Sequence, residues 1–461
     1  MRLSCENTVL RSIRPSEEER MIIRAVADEI ICEVNKSGIA TGMVVGSVAR
    51  DTWVSGDKDL DIFMLFSPEV SREELEEKGL GLARQISKTF SGVFVEKYAE
   101  HPYINANIRG FDIDLVPCYA VESASMIKSA VDRTPFHTRY IKEKISGHTD
   151  DVLLLKQFSK ACGVYGSDQM TEGFAGYLCE LLICYYGGFT ELLEEASKWR
   201  PGIVIDIEKH QAKELTEPLV VIDPVDPCRN VAASLSATRM CEFAEFARGY
   251  LKNPSEIYFE APVSKEISSE DFKTMIEDRG SSFYAVVFKT PGLIPDIVVP
   301  QLRRSAIGIN GLLERNGFVV NRFDCSMKEE NCMILYELLV DQLPNVEKRE
   351  GPPVWNAENS DKFLKKHIGN TFAGPYIENE RYYVEIERKY PDVYSILLSG
   401  EILSSGLGKH VRKSIENEMN IYKDEECWSK EFSDFLGDFV MKKSPLIERM
   451  MKQTESLNFQ T

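Results

Sequence analysis

Apolar positions along this chain switch between two periods, and the switches outline its elements. Residues 16–36, "SEEERMIIRAVADEIICEVNK", repeat apolar side chains at helical spacing behind Ser16, which can cap, and Glu17 to Glu19, which suit a first turn. A strand "GMVVG" follows, then a turn at Ser47, a helix predicted from Val48 to Val54, and the strand "DLDIFMLF". "SREELEEKGLGLARQISKTF" reads as a capped helix, and "VFVEKYAE", "YINANI" and "FDIDLVPCYAV" read as strands. This mixed order predicts an α+β domain over residues 1–133. From Asp150 the pattern turns helical: "DVLLLKQFSKACGVYG" carries a broad apolar stripe, and "GFAGYLCELLICYYGGFTELLEEASKW" is apolar nearly all round, as a buried helical segment should be. With the short strands "IVIDI" and "LVVIDPVD" and the helix "SLSATRMCEFAEFARGYLK", residues 134–253 form a mostly helical central domain. A boundary is expected at Asn253–Pro254. Beyond it, strands such as "SFYAVVF" and "MILYELLV" and the helix "LRRSAIGINGLLERNGF" make residues 254–461 an α+β C-terminal body and tail.

Composition narrows this little. At 461 residues the chain exceeds what one hydrophobic core serves, so two to four domains are expected. No apolar run reaches the length of a membrane span, and the N-terminal segment lacks a signal-peptide core, so a cytoplasmic protein with no membrane partner is expected. Eleven cysteines without a C-x-x-C pair and six scattered histidines argue against a structural zinc site. The net charge of −18 disfavours indiscriminate nucleic-acid binding and leaves room for a local basic groove.

The chemistry begins in "VVGSVARDTWVSGDKDLDIFMLF". On a strand, Asp59 and Asp61 project from one face while Leu60 and Ile62 point into a core. Two carboxylates held side by side repel each other, and a divalent cation relieves that; hard oxygen ligands suit Mg²⁺. The plainer reading is an exposed strand end with two solvated aspartates. Gly46 permits close backbone approach to a ligand, and Ser47 stands where N–H groups favour a phosphate. A second strand, "FDIDLVPCY", sets Asp112 and Asp114 on one face, and parity does not choose between them. Three carboxylates from two strands facing a phosphate-binding turn describe a two-metal site for phosphoryl or nucleotidyl transfer.

That combination resembles the nucleotidyltransferase superfamily of polymerase-beta type. The blocks "VGSVARDTW", "AEHPYINA", "DIDLVPCY", "IKSAVDRTPFHTRYI", "LLLKQF", "GVYGS", "GFAGYLCELLI" and "VDPVDPCRNVAASLS", in this order, resemble the archaeal (class I) CCA-adding enzymes, and "GLGKHVRKSI" is similar to that family's tail. The Glu-Asp-x-x-Arg signature of class II enzymes does not occur. The resemblance implies Asp59, Asp61 and Asp114 as ligands of two Mg²⁺ ions, with Asp112 outside the ligand set. It implies Ser47, Arg50, Thr134, His137, Lys156 and Tyr165 as nucleotide-binding residues, Arg229 as the reader of the base edge, and His101 and Tyr103 near the site. Read by itself, Arg50 is a surface arginine paired with Asp51 or a glutamate, Lys156 a snorkelling lysine, Tyr165 a core ring and His137 a structural histidine. The implied substrates are tRNA, CTP and ATP, and the implied oligomer is a homodimer.

Basic patches for duplex RNA, which is gripped by shape and phosphate, lie at Lys362, Lys365 and Lys366 and at Lys409, Arg412 and Lys413. Other readings are a poly(A) polymerase, a small-molecule adenylyltransferase, or an inactive RNA-binding protein on the same fold. The last should have lost a metal ligand, and all three carboxylates are present.

Overall fold

A computed structural model describes residues 2–98, 102–262 and 265–458, with side chains described to residue 454. The chain divides into two compact units, Met1–Val263 with Ser444–Thr461, and Ser264–Lys443.

In the first unit, α1 (Ser4–Ile13) and α2 (Glu17–Lys36) precede β1 (Thr41–Val44), α3 (Gly46–Arg50), β2 (Asp59–Phe66), α4 (Arg72–Thr89), β3 (Val93–Tyr98), β4 (Pro102–Ile108) and β5 (Phe111–Tyr119). Ser16 caps α2 as expected, its hydroxyl accepting from the Glu19 N–H at 3.1 Å. The strands form one mixed sheet in the order β1-β2-β5-β4-β3, with β2 and β5 parallel. One face is sealed by α2 and α4 through Ile23, Ile30, Leu75 and Ile86 against Leu60, Ile62, Ile113 and Leu115. The opposite face carries the aspartates, and beyond them a small patch of Val45, Phe63, Val116 and Cys118.

The predicted helix from Val48 to Val54 is shorter and earlier. It ends at Arg50 because Asp51 turns left-handed (φ 56°) and its N–H bonds back to the carbonyls of Ser47 and Val48. The chain continues through α5 (Thr134–Lys144), α6 (Thr149–Cys162), α7 (Gly176–Tyr186), α8 (Phe189–Ala196), β6 (Ile203–Ile205), β7 (Leu219–Val221) and α9 (Ala237–Lys252). Their apolar faces close around Phe158, whose ring meets those of Phe189, Phe243, Phe246, Tyr250 and Phe259.

The second unit contains α10 (Ser269–Arg279), β8 (Ser282–Lys289), α11 (Pro295–Arg315), β9 (Val319–Met327), β10 (Asn331–Val340), β11 (Val346–Pro353), α12 (Ala357–His367), β12 (Ala373–Glu378), β13 (Arg381–Glu387), α13 (Val393–Leu397), α14 (Lys409–Asn417), β14 (Met419–Lys423) and α15 (Ser433–Met441). Its main sheet runs β14-β8-β10-β9, and a second runs β11-β13-β12. The final helix, α16 (Pro445–Asn458), belongs to the first unit rather than to the C-terminal body to which the sequence pattern assigned it. Among the described residues no helix is long and apolar enough to cross a membrane.

Candidate active site

The parallel pairing of β2 with β5 sets Asp59 beside Asp112 and Asp61 beside Asp114, so four carboxylates share one sheet face. The sheet distinguishes the two positions on β5 that the sequence left open. Asp112 lies on the exposed rim and bonds Asn107 at 3.2 Å, whereas Asp114 sits deeper, opposite Asp61, and accepts a 2.7 Å bond from Asn105 on β4. Tyr103 is two residues before Asn105 on β4, on the same side of the strand. His101 falls outside the described residues.

Charge crowding marks this face. Desolvation, together with repulsion from Asp114, pushes the half-buried Asp61 carboxyl up to about 6. Burial also raises Asp59, with Asp57, Asp112 and Asp114 adding to the shift, and burial raises Asp114 against the bond from Asn105. The carboxylates therefore favour a cation. Among the described residues no three His, Cys, Asp or Glu side chains converge into a ready-made metal cage. Magnesium is typically held by one or two carboxylates and completes its shell from phosphates and water, and an aspartate face of this kind fits that habit.

Gly46 bounds the face from above. It adopts φ +68°, and a Cβ placed there would lie 1.9 Å from Asp61 Oδ2. Only glycine lets the turn after β1 press against the Asp61 carboxylate. Ser47 follows, half-buried, in the first turn of α3.

Arg50 is buried rather than at the surface. Its Nε donates to Glu180 Oε1 on α7 at 2.9 Å, and its Nη1 reaches Thr138 Oγ1 on α5 at 3.4 Å. Thr52 Oγ1 donates to the same Glu180 oxygen, while Glu180 Oε2 is buried without a partner among the described residues. Asp51, the other partner expected for Arg50, binds Arg20 instead at 3.0 Å. Lys156 does not snorkel: it is 3% exposed, and its ammonium donates to the Thr52 carbonyl at 2.7 Å. Burial lowers its pKa, against the field of Glu180. Tyr165 lies close by, since a Cβ on Gly176 would meet both the Tyr165 hydroxyl (3.2 Å) and the Lys156 ammonium (3.5 Å).

A second cluster adjoins the first through α5 and α7. His137, next to Thr138, donates from Nε2 to Asp223 Oδ2 at 2.9 Å and stacks on Tyr177 at 4.2 Å. Arg229 Nη1 donates to the same Asp223 oxygen at 2.7 Å. Burial would raise Asp223, but the bonds from His137, the Val225 N–H and Arg229 outweigh it and hold the carboxyl at about 2. Burial lowers His137 in turn, against the pull of Asp223. Thr134 opens α5 one turn before His137 and Thr138.

Three family models match consecutive stretches of this chain. They are a nucleotidyltransferase domain over residues 27–137, the second domain of tRNA nucleotidyltransferase over 150–260, and the C-terminal domain of CCA-adding enzyme over 279–424. The CCA-adding enzyme of Methanoregula boonei is 55% identical over 447 residues, spanning 97% of both chains. That of Methanosarcina acetivorans is 44% identical, spanning 93% of this chain and 95% of its own. That of Haloarcula marismortui is 39% identical, spanning 87% and 90%.

The chain belongs to the archaeal class I CCA-adding enzymes. Membership makes it a tRNA nucleotidyltransferase, an enzyme that adds CCA to tRNA. In this member of the family Asp59, Asp61 and Asp114 share one sheet face, Arg50, Lys156 and Tyr165 gather around Thr52 and Glu180, and His137 and Arg229 meet at Asp223. The basic residues Lys409, Arg412 and Lys413 lie in the second unit on α14, all exposed. Asn105, Glu180, Tyr177 and Asp223 escape a motif reading because each acts through a partner on another element. A carboxylate in an otherwise apolar helix ("LCELLI") was the available sign for Glu180.

Proposed function

We propose that the chain completes the tRNA 3′ end by adding C, C and A in turn from CTP and ATP, releasing pyrophosphate at each step. The observation that carries this reading is the registration of Asp59–Asp61 beside Asp112–Asp114 under the Gly46 turn. Asp59 and Asp61 would hold the Mg²⁺ ion that grips the triphosphate, and with Asp114 a second. Ions held by these aspartates would supply positive charge to the phosphates and to the 3′-hydroxyl, whose pKa would fall. Ser47 and Arg50 would hold the triphosphate, with Lys156 and Tyr165 adding a charge and a hydroxyl from α6 and the segment after it. Among the described residues Arg50 makes no bond through Nη2, so it can serve phosphate while Nε stays on Glu180. Thr134 and His137 would flank the sugar and phosphates, and Arg229 would meet the base edge with paired donors. Lys409, Arg412 and Lys413 would face tRNA phosphates. The working form would be a cytoplasmic homodimer.

The test is incubation of the chain with tRNA lacking its terminal CCA, Mg²⁺ and labelled CTP or ATP. Extension should stop after three nucleotides, and a long A-tail would select a poly(A) polymerase instead. Asp61→Ala should abolish incorporation while its thermal melt stays cooperative; retained activity would refute the metal assignment.

A further inference from the structure

Residues 223–229 form a closed loop. The Asp223 N–H bonds the Arg229 carbonyl (3.0 Å), and Ile222 bridges Asn230 just outside that neck. Inside it the Asp226 N–H bonds the Asp223 carbonyl (3.1 Å) and the Arg229 N–H bonds the Asp226 carbonyl (3.0 Å). From outside, Arg133 reaches Asp226 at 3.3 Å, and His210 Nε2 lies 3.1 Å from the Asp223 carbonyl. The backbone therefore fixes where the Arg229 side chain starts. It does not fix where a long, flexible guanidinium arm points.

The Asp223 carboxylate supplies that second constraint. It is fully buried and accepts four bonds: His137 Nε2 (2.9 Å) and Arg229 Nη1 (2.7 Å) on Oδ2, the Tyr177 hydroxyl (3.3 Å) and the Val225 N–H (2.9 Å) on Oδ1. An ionised carboxylate offers about four acceptor positions, and here each has a donor. Arg229, with a side chain 37% exposed, makes no bond through Nε or Nη2 among the described residues. Those two N–H groups lie on the side of the guanidinium turned away from Nη1 and form a planar fork. Cytosine presents two acceptors, O2 and N3, to such a fork; uracil presents a donor at N3.

We propose that Asp223 is the positioning residue for base selection: it pins Nη1 so that the free Nε–Nη2 fork of Arg229 points at the base edge. Through His137 and Tyr177 it ties that aim to α5 and α7, the helices that also brace Arg50. The proposal rests on the reading that Arg229 meets the base, and it adds the residue that makes this meeting discriminating. Asparagine at position 223 turns one acceptor oxygen into an NH₂ group, which then faces a donor pair, so the arrangement breaks with little change in volume.

The experiment compares single-nucleotide incorporation of CTP and UTP on tRNA lacking CCA for the parent chain, Asp223→Asn, Arg229→Ala and the double variant. Inhibition by inorganic tripolyphosphate serves as a probe of the triphosphate subsite. In Asp223→Asn the CTP:UTP ratio of kcat/KM should fall at least tenfold, and by more than the tripolyphosphate inhibition constant rises, because a loosened triphosphate grip reached through His137 affects both nucleotides alike. In the Arg229→Ala background the same change should add less than twofold, because both act through one fork. A CTP:UTP ratio that survives Asp223→Asn while Tm and kcat fall would make Asp223 merely structural and overturn the proposal, as would independent, multiplying effects of the two substitutions. If Arg229→Ala alone leaves the ratio intact, the base-reading role of Arg229 fails and takes the proposal with it. Should Asp223→Asn not fold, Asp223→Glu keeps the charge, displaces the oxygens and carries the same expectations.

Discussion

At Gly46 backbone conformation and chemistry depend on one missing methyl group. Alanine there would hold φ +68° at a cost on the order of 1–2 kcal/mol and would drive its Cβ into the Asp61 carboxylate. Gly46→Ala should lower nucleotidyl transfer by about 100-fold or more, since displacing a reacting group by an ångström has that scale of effect. Single-turnover incorporation alongside a thermal melt checks it; activity within a factor of three of the parent would show that the Asp61 carboxylate is free to move. The side-by-side placement of Asp59 and Asp61 was legible because strand alternation is local. Strand alternation did not choose between Asp112 and Asp114, which have the same parity; the family resemblance named Asp114, and the pairing with β2 and β4 sets it deep and Asp112 at the rim.

Among elements, two docking contacts carry predictions. Arg449 on α16 is 2% exposed, and its guanidinium donates to the carbonyls of Glu260 (2.7 Å), Ala161 (2.8 Å) and Ala261 (3.3 Å). Removing those donors strands buried carbonyls, so Arg449→Ala should destabilise the first unit by about 2–4 kcal/mol in denaturant titration. The same helix explains Gly249 on α9, where a Cβ would stand 2.1 Å from Leu446. In the second unit Glu337 on β10 is 1% exposed and accepts from Arg279, Ser281, Arg322 and Asn321. Burial would raise its pKa, but those bonds outweigh burial and hold it at about 2, below the ordinary value of 4.5. A depressed carboxyl stabilises the fold above its unfolded pKa, and that contribution is lost as pH falls through the folded one. About 3 kcal/mol should therefore disappear between pH 4.5 and 2, and Glu337→Gln should flatten the curve in that window. The element types were readable from periodicity, as the capped α2 shows. The early end of α3 was not, because nothing in "VARDTW" marks Asp51 for the left-handed turn at which the helix stops.

For the whole molecule the net charge of −18 sets the terms of RNA binding. Such a chain must concentrate its cations. On α14, Val411 and Ile415 are buried in the core of the second unit, while Lys409, Arg412 and Lys413 stay exposed. The helix is anchored to α11 by the Gly408 N–H on Ser305 Oγ (2.9 Å) and the His410 N–H on Gln301 (2.8 Å), so those charges sit on a rigid element. Lys409→Glu with Arg412→Glu should weaken tRNA binding and reduce the slope of log affinity against log salt by roughly 1–2. Filter binding across a salt series measures both, and an unchanged slope would take the helix out of the interface.

The sequence by itself determined the strongly periodic elements such as α2 and β2, the parity of the aspartates and the family blocks, because each is written in residues a few positions apart. Hydrophobic period, strand alternation and turn chemistry act over that range. Tertiary structure decided what those side chains do. Glu180, 130 positions beyond Arg50, and Asp223, 86 positions beyond His137, become the buried acceptors that orient them. The last helix, read as part of a C-terminal body, docks on the first unit. A buried charge must find its counter-charge wherever the fold brings one, and no local pattern encodes that partner.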